Sequence, residues 1–381
     1  MEPPVGPSDP ADPAVPAAAP PHSADAPKVL YLGGLGRSGT TLLDRLLGEL
    51  PGAISLGEVV HLWERGVVGG ERCGCGASFG DCAFWREVGQ VAFGGWERVD
   101  IERLRALRAA VDRTRHIPAL ARRRLPAATR ERVDAYVSNY VRLYRAVAEV
   151  SGARVLIDSS KQASLAGCLR WAAVTGAAGS APGGAIDLRV LHVVRDSRGV
   201  AYSWTKKVRR PEAVTGGEEF MAQWSPAKAA AYWNAENGAF ALFARRGVPT
   251  LRVRYEEFLR APIESLRRIA EFAGLPGDDA AMAFLAADDD GSVTARLSAN
   301  HTASGNPMRF QTGPVLLRRD EEWRTRLEPA DRRRVTALTY PLLRRYGYLR
   351  GAPPPADPPN NKELRTPSPA PPASGRGSAS T

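Results

Sequence analysis

The sequence predicts an α/β fold in three layers, a central parallel sheet of about five strands flanked by helices with helical insertions, and three observations carry that expectation. Five short runs are rich in β-branched residues or Leu, helical patterns separate them, and a Gly-rich turn joins the first run to the first helix. The runs are Lys28–Gly33 (KVLYLG), Ala53–Leu56 (AISL), Arg154–Asp158 (RVLID), Leu188–Val194 (LRVLHVV) and Pro249–Tyr255 (PTLRVRY). Their apolar continuity indicates strands buried on both faces. Thr40–Leu50 reads as a helix directly after the turn, and Tyr136, Val137, Tyr140, Val141, Tyr144 and Val147 fall at i, i+3, i+4 spacing on one helical face. Strands alternating with helices place a ligand site beyond the carboxyl ends of the strands. Val59–Val150 and Thr205–Gly247 are too long for simple crossovers and read as insertions, while Ala273–Arg350 supplies further helices and a loop, Asn300–Phe310.

Residues 1–27 and 351–381 are dominated by Pro, Ala, Gly and Ser and read as disordered tails around one domain, 28–350. A domain of that size buries about 75% of its unfolded surface. The formal charge of +11 rests on 52 basic residues, of which only six are Lys. A basic domain favours nucleotides, sulfated or phosphorylated molecules, nucleic acid or an acidic membrane face; equally, Arg clusters such as Arg122–Arg124 are often solvated helix surface. The basic run Lys206–Arg210 lacks interleaved aromatics, so a nucleic-acid partner is not expected. No targeting segment is evident, and the longest uncharged run, Trp171–Ile186, is broken by four Gly and a Pro and is shorter than the roughly 20 residues of a spanning helix. A cytoplasmic location and no membrane span follow as expectations, and in that compartment the four Cys are not expected to form disulfides.

After the first strand comes Gly34-Leu35-Gly36-Arg37-Ser38-Gly39-Thr40-Thr41, running into Leu42-Leu43-Asp44-Arg45-Leu46-Leu47. A Gly-rich turn before a helix presents unpaired backbone N–H groups and the positive end of the helix dipole, and so makes the sheet one of P-loop type with an anion site. The hydroxyls of Ser38, Thr40 and Thr41 and the guanidinium of Arg37 add donors. Gly34 and Gly39 have Walker spacing, but Thr40 stands where the Lys of an ATPase, GTPase or small-molecule kinase would reach the β- and γ-phosphates. Gly34, Gly36 and Gly39 also match a dinucleotide fingerprint, with Glu58 near the distance of a ribose-binding acid, although Arg37 would crowd a pyrophosphate and no further motif belongs to hydride transfer. A kinase and a non-enzymatic basic nucleotide- or nucleic-acid-binding protein therefore stand as alternatives.

Gly36-Arg37-Ser38-Gly39-Thr40-Thr41-Leu42-Leu43 resembles the 5′-phosphosulfate loop of sulfotransferases that use 3′-phosphoadenosine 5′-phosphosulfate. Independently, Leu191 to Ser203 (LHVVRDSRGVAYS) resembles the family's 3′-phosphate motif, an Arg at a strand end and a Ser eight residues later on the next helix, positions held here by Arg195 and Ser203. The likeness extends over most of 28–350 and is nearest the bacterial branch, with the carbohydrate and tyrosyl-protein branches more distant. It implies a transferase that moves a sulfonate to a hydroxyl of a small-molecule or glycan acceptor, read by the two insertions. Gly305–Phe310 (GNPMRF) departs from the Arg-Lys-Gly loop of the cytosolic branch, and Arg309 is expected to contact the 3′-phosphate in its place.

Sulfuryl transfer needs in-line placement, neutralisation of the leaving phosphate and a base for the acceptor proton. The resemblance implies Arg37 and the loop hydroxyls at the bridging oxygen. Glu58, just after the second strand, is the first choice of base, matching the Glu of the tyrosyl-protein branch; His61, three residues on, is its rival, and a purely structural Glu58 is the third reading. Lys161, at the end of the third strand, is placed to reach the transferring sulfonate, whereas Asp158, Glu256 and Glu257 read as caps or props. Cys73, Cys75 and Cys82 form C-x-C-x₆-C, with only His61 or Cys168 in view as a fourth ligand; they read as reduced structural thiols, with no metal expected and Cys168 in a helix core.

Overall fold

The computed structural model describes residues 26–174, 184–209, 220–289 and 291–349; apart from residues 26 and 27, the two expected tails lie outside this range, as does Arg210. All five expected strands are present: β1 (Lys28–Gly33), β2 (Ala53–Gly57), β3 (Val155–Lys161), β4 (Asp187–Val194) and β5 (Thr250–Arg254). They form one parallel sheet in the order β2-β3-β1-β4-β5. Alternation along β1 sends Val29 and Tyr31 into one hydrophobic core and Leu30 and Leu32 into the other, so an uninterrupted apolar run is what a strand covered on both faces requires.

The longer helices, in chain order, are α1 (Thr40–Leu47), α2 (Ala83–Phe93), α3 (Ile101–Val111), α4 (Ala127–Ser151), α5 (Ala163–Val174), α6 (Ser197–Thr205), α7 (Pro226–Arg245), α8 (Pro262–Ala273) and α9 (Pro329–Arg345). None among the described residues is long and apolar enough to cross a membrane. One core takes side chains from α2 to α5 and from α7; the other takes them from α1 and α8. The predicted apolar face of α4 is fully realised. Tyr136, Tyr140 and Tyr144 are each wholly buried, and burying phenols obliges partners for their hydroxyls: Tyr136 donates to Asp112 at 2.8 Å and Tyr144 to Asp158 at 2.6 Å.

Two expectations are corrected. The first helix stops at Leu47, not Leu50, where Gly48 caps it. The stretch after residue 273, read as helices and a loop, also contains a second sheet, β6 (Leu285–Ala287), β7 (Val293–Leu297) and β8 (Gly313–Leu317), antiparallel in the order β6-β7-β8. Its strands are short, and the residues that turn inward, onto the core beside α1, are mainly the alternation Val293, Ala295, Leu297 with Leu317 of β8.

At the start of α1, Gly39 adopts φ +89°, and a Cβ there would lie 2.3 Å from the ring of Tyr255. Both the left-handed backbone and the ring contact demand glycine. Gly39→Ala is therefore expected to destabilise the fold by about 1–3 kcal/mol, read as a fall in the thermal midpoint by circular dichroism; an unchanged midpoint would show that the loop and Tyr255 are not closely packed.

Candidate active site

Strands β3 and β2 lie on one side of β1 and β4 and β5 on the other, so the loops leaving β1 and β4 part company at the carboxyl edge and open a crevice there. The loop Gly34 to Gly39 is braced by its outward-facing groups. Gly34 N donates to Lys161 O at 3.2 Å, the Trp204 indole N–H donates to Gly36 O at 3.0 Å, and Arg195 Nη1 donates to Arg37 O at 3.0 Å. Those contacts leave the first N–H groups of α1 facing the crevice. Arg37 is itself left-handed, φ +75°, and its Nε and Nη2, like Ser38 Oγ, are buried with no hydrogen-bond partner among the described residues. Burial pulls the Arg37 guanidinium below its ordinary pKa, a drop that Glu58 partly offsets. Buried donors on a cation are costly unless an acceptor arrives, so the chemistry of this loop suits it to cradle an anion.

Across from the loop, the ends of β2 and β3 meet in an ion pair between Glu58 Oε1 and Lys161 Nζ. Lys161 closes β3 with φ +68°, a conformation unusual for a residue with a side chain, and this turns its ammonium toward Glu58. Burial alone would raise the Glu58 carboxyl; the Lys161 ammonium, together with His61 and Arg65, more than offsets it and holds the group below the ordinary glutamate range. His61 Nε2 lies 3.6 Å from Glu58 Oε2, yet burial pushes its imidazole down to about 3, so at neutral pH it is an uncharged neighbour. Of the two bases that the spacing left open, Glu58 is the one held ionised at the mouth of the cradle. Behind it, Glu58 N donates to Ser304 O at 3.1 Å.

Arg195, 7% exposed, leaves the end of β4 and donates to the main-chain and side-chain oxygens of Asp320, each at 3.3 Å, while its guanidinium lies 4.9 Å over the ring of Tyr255. Tyr255 thus touches both halves of the crevice, Gly39 and Arg195. Gly36, Arg37, Gly39, Thr40, Thr41, Glu58, Lys161, Arg195 and Ser203 all line a single cavity of about 280 Å³. Arg309 does not. It is 1% exposed, and its Nη1 and Nη2 donate to Thr302 O at 2.7 Å and Arg72 O at 2.5 Å, so its charge is spent inside the protein, holding two loops together; Asn306 and Met308 of the same loop reach the cavity instead. The role expected of Arg309 is corrected accordingly.

A second cavity, about 370 Å³, adjoins the first and shares Gly36, Glu58, Lys161 and Trp204 with it. Its remaining walls come mainly from the two insertions and include Arg108, Asp112, Arg113, Tyr232 and Glu236. Trp204 stacks on Trp224 with ring centroids 3.8 Å apart and planes 3° from parallel. Sequence reasoning expected the two insertions to read the acceptor without naming residues in them, and it missed Trp204 and Tyr255. Trp204 alone carried a signal, being next to Ser203 on α6.

The cysteine reading is corrected as well. Neither His61 nor Cys168 stands by the other thiols; Cys168 Sγ donates to Val111 O from within the core, and the fourth residue beside Cys73, Cys75 and Cys82 is His301.

No family model matches the chain, and no curated protein matches it. Solved structures similar to it include two sulfotransferase domains and a sulfotransferase. One, from the Synechococcus PCC 7002 olefin synthase, is 21% identical over 85% of this chain and 96% of that one, with a TM-score of 0.41. Another, from the curacin biosynthetic pathway, is 16% identical over 82% and 96%, with a TM-score of 0.43. The sulfotransferase STF9 from Mycobacterium avium is 14% identical over 68% and 67%, with a TM-score of 0.34. At TM-scores below 0.5 these likenesses carry no functional weight; the geometry of the site does.

The Glu58–Lys161 pair fixes the sign of a pH effect. Because the folded pKa of Glu58 is depressed, its contribution to stability is fully present above the unfolded value of about 4.3 and is lost as pH falls through the folded value. In Lys161→Met, the burial of Glu58 loses its main opponent, so the free energy of unfolding should drop by about 3 kcal/mol near neutrality and recover as the solution is acidified. Denaturant unfolding across pH, compared with Glu58→Gln, reads both slopes; parallel slopes in the parent and Lys161→Met would mean that the pair does not set the charge of Glu58.

Proposed function

We propose that the chain is a sulfotransferase that moves the sulfonate of 3′-phosphoadenosine 5′-phosphosulfate to the hydroxyl of a polar small-molecule acceptor. The observation that carries this reading is the pairing of two anion sites on one cavity: the Arg37–Thr41 cradle with its unpartnered buried donors, and Arg195 with Ser203 on the facing wall. A molecule with a phosphosulfate at one end and a second phosphate on its ribose needs such a pair. Thr40 stands where a kinase would need Lys, which weighs against a triphosphate.

When bound, the donor supplies a sulfonate activated by a phosphate leaving group. The work of the chain is to place and neutralise. Arg37 and the N–H groups at the start of α1 face the charge that builds on the departing phosphate. Glu58 and Lys161, shared by both cavities, stand where donor and acceptor meet. Glu58, ionised, takes the acceptor proton as the acceptor oxygen bonds to sulfur and the bond from sulfur to the bridging oxygen breaks. Lys161 attends the sulfonate oxygens; as its charge is drawn toward them, Glu58 loses its strongest stabiliser and becomes a better base. The products are a sulfate ester and 3′,5′-adenosine bisphosphate. In the second cavity, the charged Arg108, Asp112 and Arg113 beside Trp204, Trp224 and Tyr232 suit a hydroxylated, polar acceptor rather than a lipid chain.

Calorimetric titration with 3′,5′-adenosine bisphosphate, alongside ATP with Mg²⁺ and NAD, tests the donor site. The bisphosphate alone should bind, and Arg195→Ala should weaken it by about 10- to 150-fold, the range of a charge-assisted hydrogen bond. Glu58→Gln should leave that affinity in place while lowering kcat by about 10²- to 10⁴-fold in a sulfate-transfer assay. Binding of ATP or NAD without the bisphosphate would overturn the reading.

A further inference from the structure

Away from the transfer site, four side chains that are distant in sequence converge on one point. Cys73 sits in the loop before α2, Cys75 two residues on, Cys82 at the residue preceding α2, and His301 more than 200 residues later, and their ligand atoms all lie within 4.8 Å of one another. Cys75 Sγ and Cys82 Sγ are 3.7 Å apart; His301 Nδ1 is 3.7 Å from Cys73 Sγ and 3.4 Å from Cys82 Sγ. A tetrahedral zinc ion with Zn–S near 2.3 Å and Zn–N near 2.0–2.1 Å sets edges of about 3.8 Å between sulfurs and about 3.6 Å from sulfur to nitrogen. The three observed edges match that tetrahedron, and the other three lie within 4.8 Å. We propose that Cys73, Cys75, Cys82 and His301 bind a structural zinc ion, a Cys₃His centre independent of the sulfuryl-transfer reading.

The surroundings are built to hold those four groups still. Cys73 N donates to Ala77 O and Gly76 N to Cys73 O, at 2.8 and 2.9 Å, folding the tight turn that presents Cys73 and Cys75 on one side. Between them a side chain at Gly74 has no space, since a Cβ there would lie 2.0 Å from Asn300 Oδ1, while Gly74 N donates to Thr302 O at 3.0 Å. The ring of His301 stacks on Phe84 with centroids 4.8 Å apart, and its carbonyl accepts from the Trp85 indole at 2.8 Å, which fixes the direction of Nδ1. Orienting contacts of this kind are what ligating imidazoles need. Soft thiolates with one imidazole select zinc, and four protein ligands leave no open position, so the centre is structural rather than catalytic.

Its mechanical role follows from the neighbouring hydrogen bonds. The segment that carries His301 continues into Ala303, whose N–H donates to Leu56 O at 2.9 Å, and Ser304, whose carbonyl accepts from Glu58 N. The metal therefore ties the turn at residues 73–76 to the segment that backs the end of β2.

Metal content and cobalt spectroscopy test the assignment on the full chain, produced in zinc-supplemented cells and purified in reducing buffer without chelator. One zinc per chain is expected by plasma mass spectrometry, retained in Cys168→Ser and lost in Cys75→Ser and His301→Ala. Replacement by Co²⁺ should give the visible bands of a tetrahedral thiolate site, and His301→Cys should restore metal binding with a spectrum shifted toward four sulfurs. If the ligand variants fail to fold, the stoichiometry and cobalt spectrum of the parent chain decide. A metal-free parent, a Cys75–Cys82 disulfide found by mass, or full zinc in folded His301→Ala would each overturn the proposal.

Discussion

The ion pair between Glu58 and Lys161 is the contact on which the architecture of the crevice turns. Two charges removed from water hold each other only when both are present and well placed. The chain meets that condition with costly geometry: a left-handed Lys161 at the end of β3, and a Glu58 whose own backbone is tied to Ser304. The pair joins the last residue of one strand to the loop leaving its neighbour, so the wall shared by the two cavities is set by the same register that aligns β2 with β3. A group held ionised while poorly hydrated is also a group whose charge state responds sharply to whatever is brought beside it.

The two proposed anion sites share a different connector. Tyr255, one residue beyond β5, receives Gly39 against its ring and Arg195 over it, and so links the loop after β1 to the loop after β4. Glu256 adds a second tie by accepting from Asp196 N at 2.9 Å and from the Tyr348 hydroxyl at 2.7 Å. The spacing between the cradle and Arg195 is thus held twice, directly by the Arg195 donor on Arg37 O and through the Tyr255 ring beyond the edge strand.

How much of this was legible in the sequence follows from the range of the interactions. Strands covered on both faces must be apolar throughout, so all five of them, and the tyrosine face of α4, were readable from short windows. The cradle was readable for the same reason: its glycines, Arg37 and hydroxyls are contiguous, and so is the eight-residue step from Arg195 to Ser203. Contacts across the chain left no such trace. Nothing near Arg309 in sequence shows that its donors are taken by Thr302 and Arg72, and nothing near Cys73 points to His301. The antiparallel sheet escaped because only half of its residues face the core and none of its strands is long enough for that alternation to stand out.

Because the two cavities share a wall instead of overlapping, both substrates of the proposed reaction have room at once. No cysteine or serine thiol or hydroxyl is needed between them to carry the group. The expected kinetic order of that reaction is therefore a ternary complex with direct displacement, inverting configuration at sulfur. The Trp204 ring, stacked on Trp224, is part of both walls.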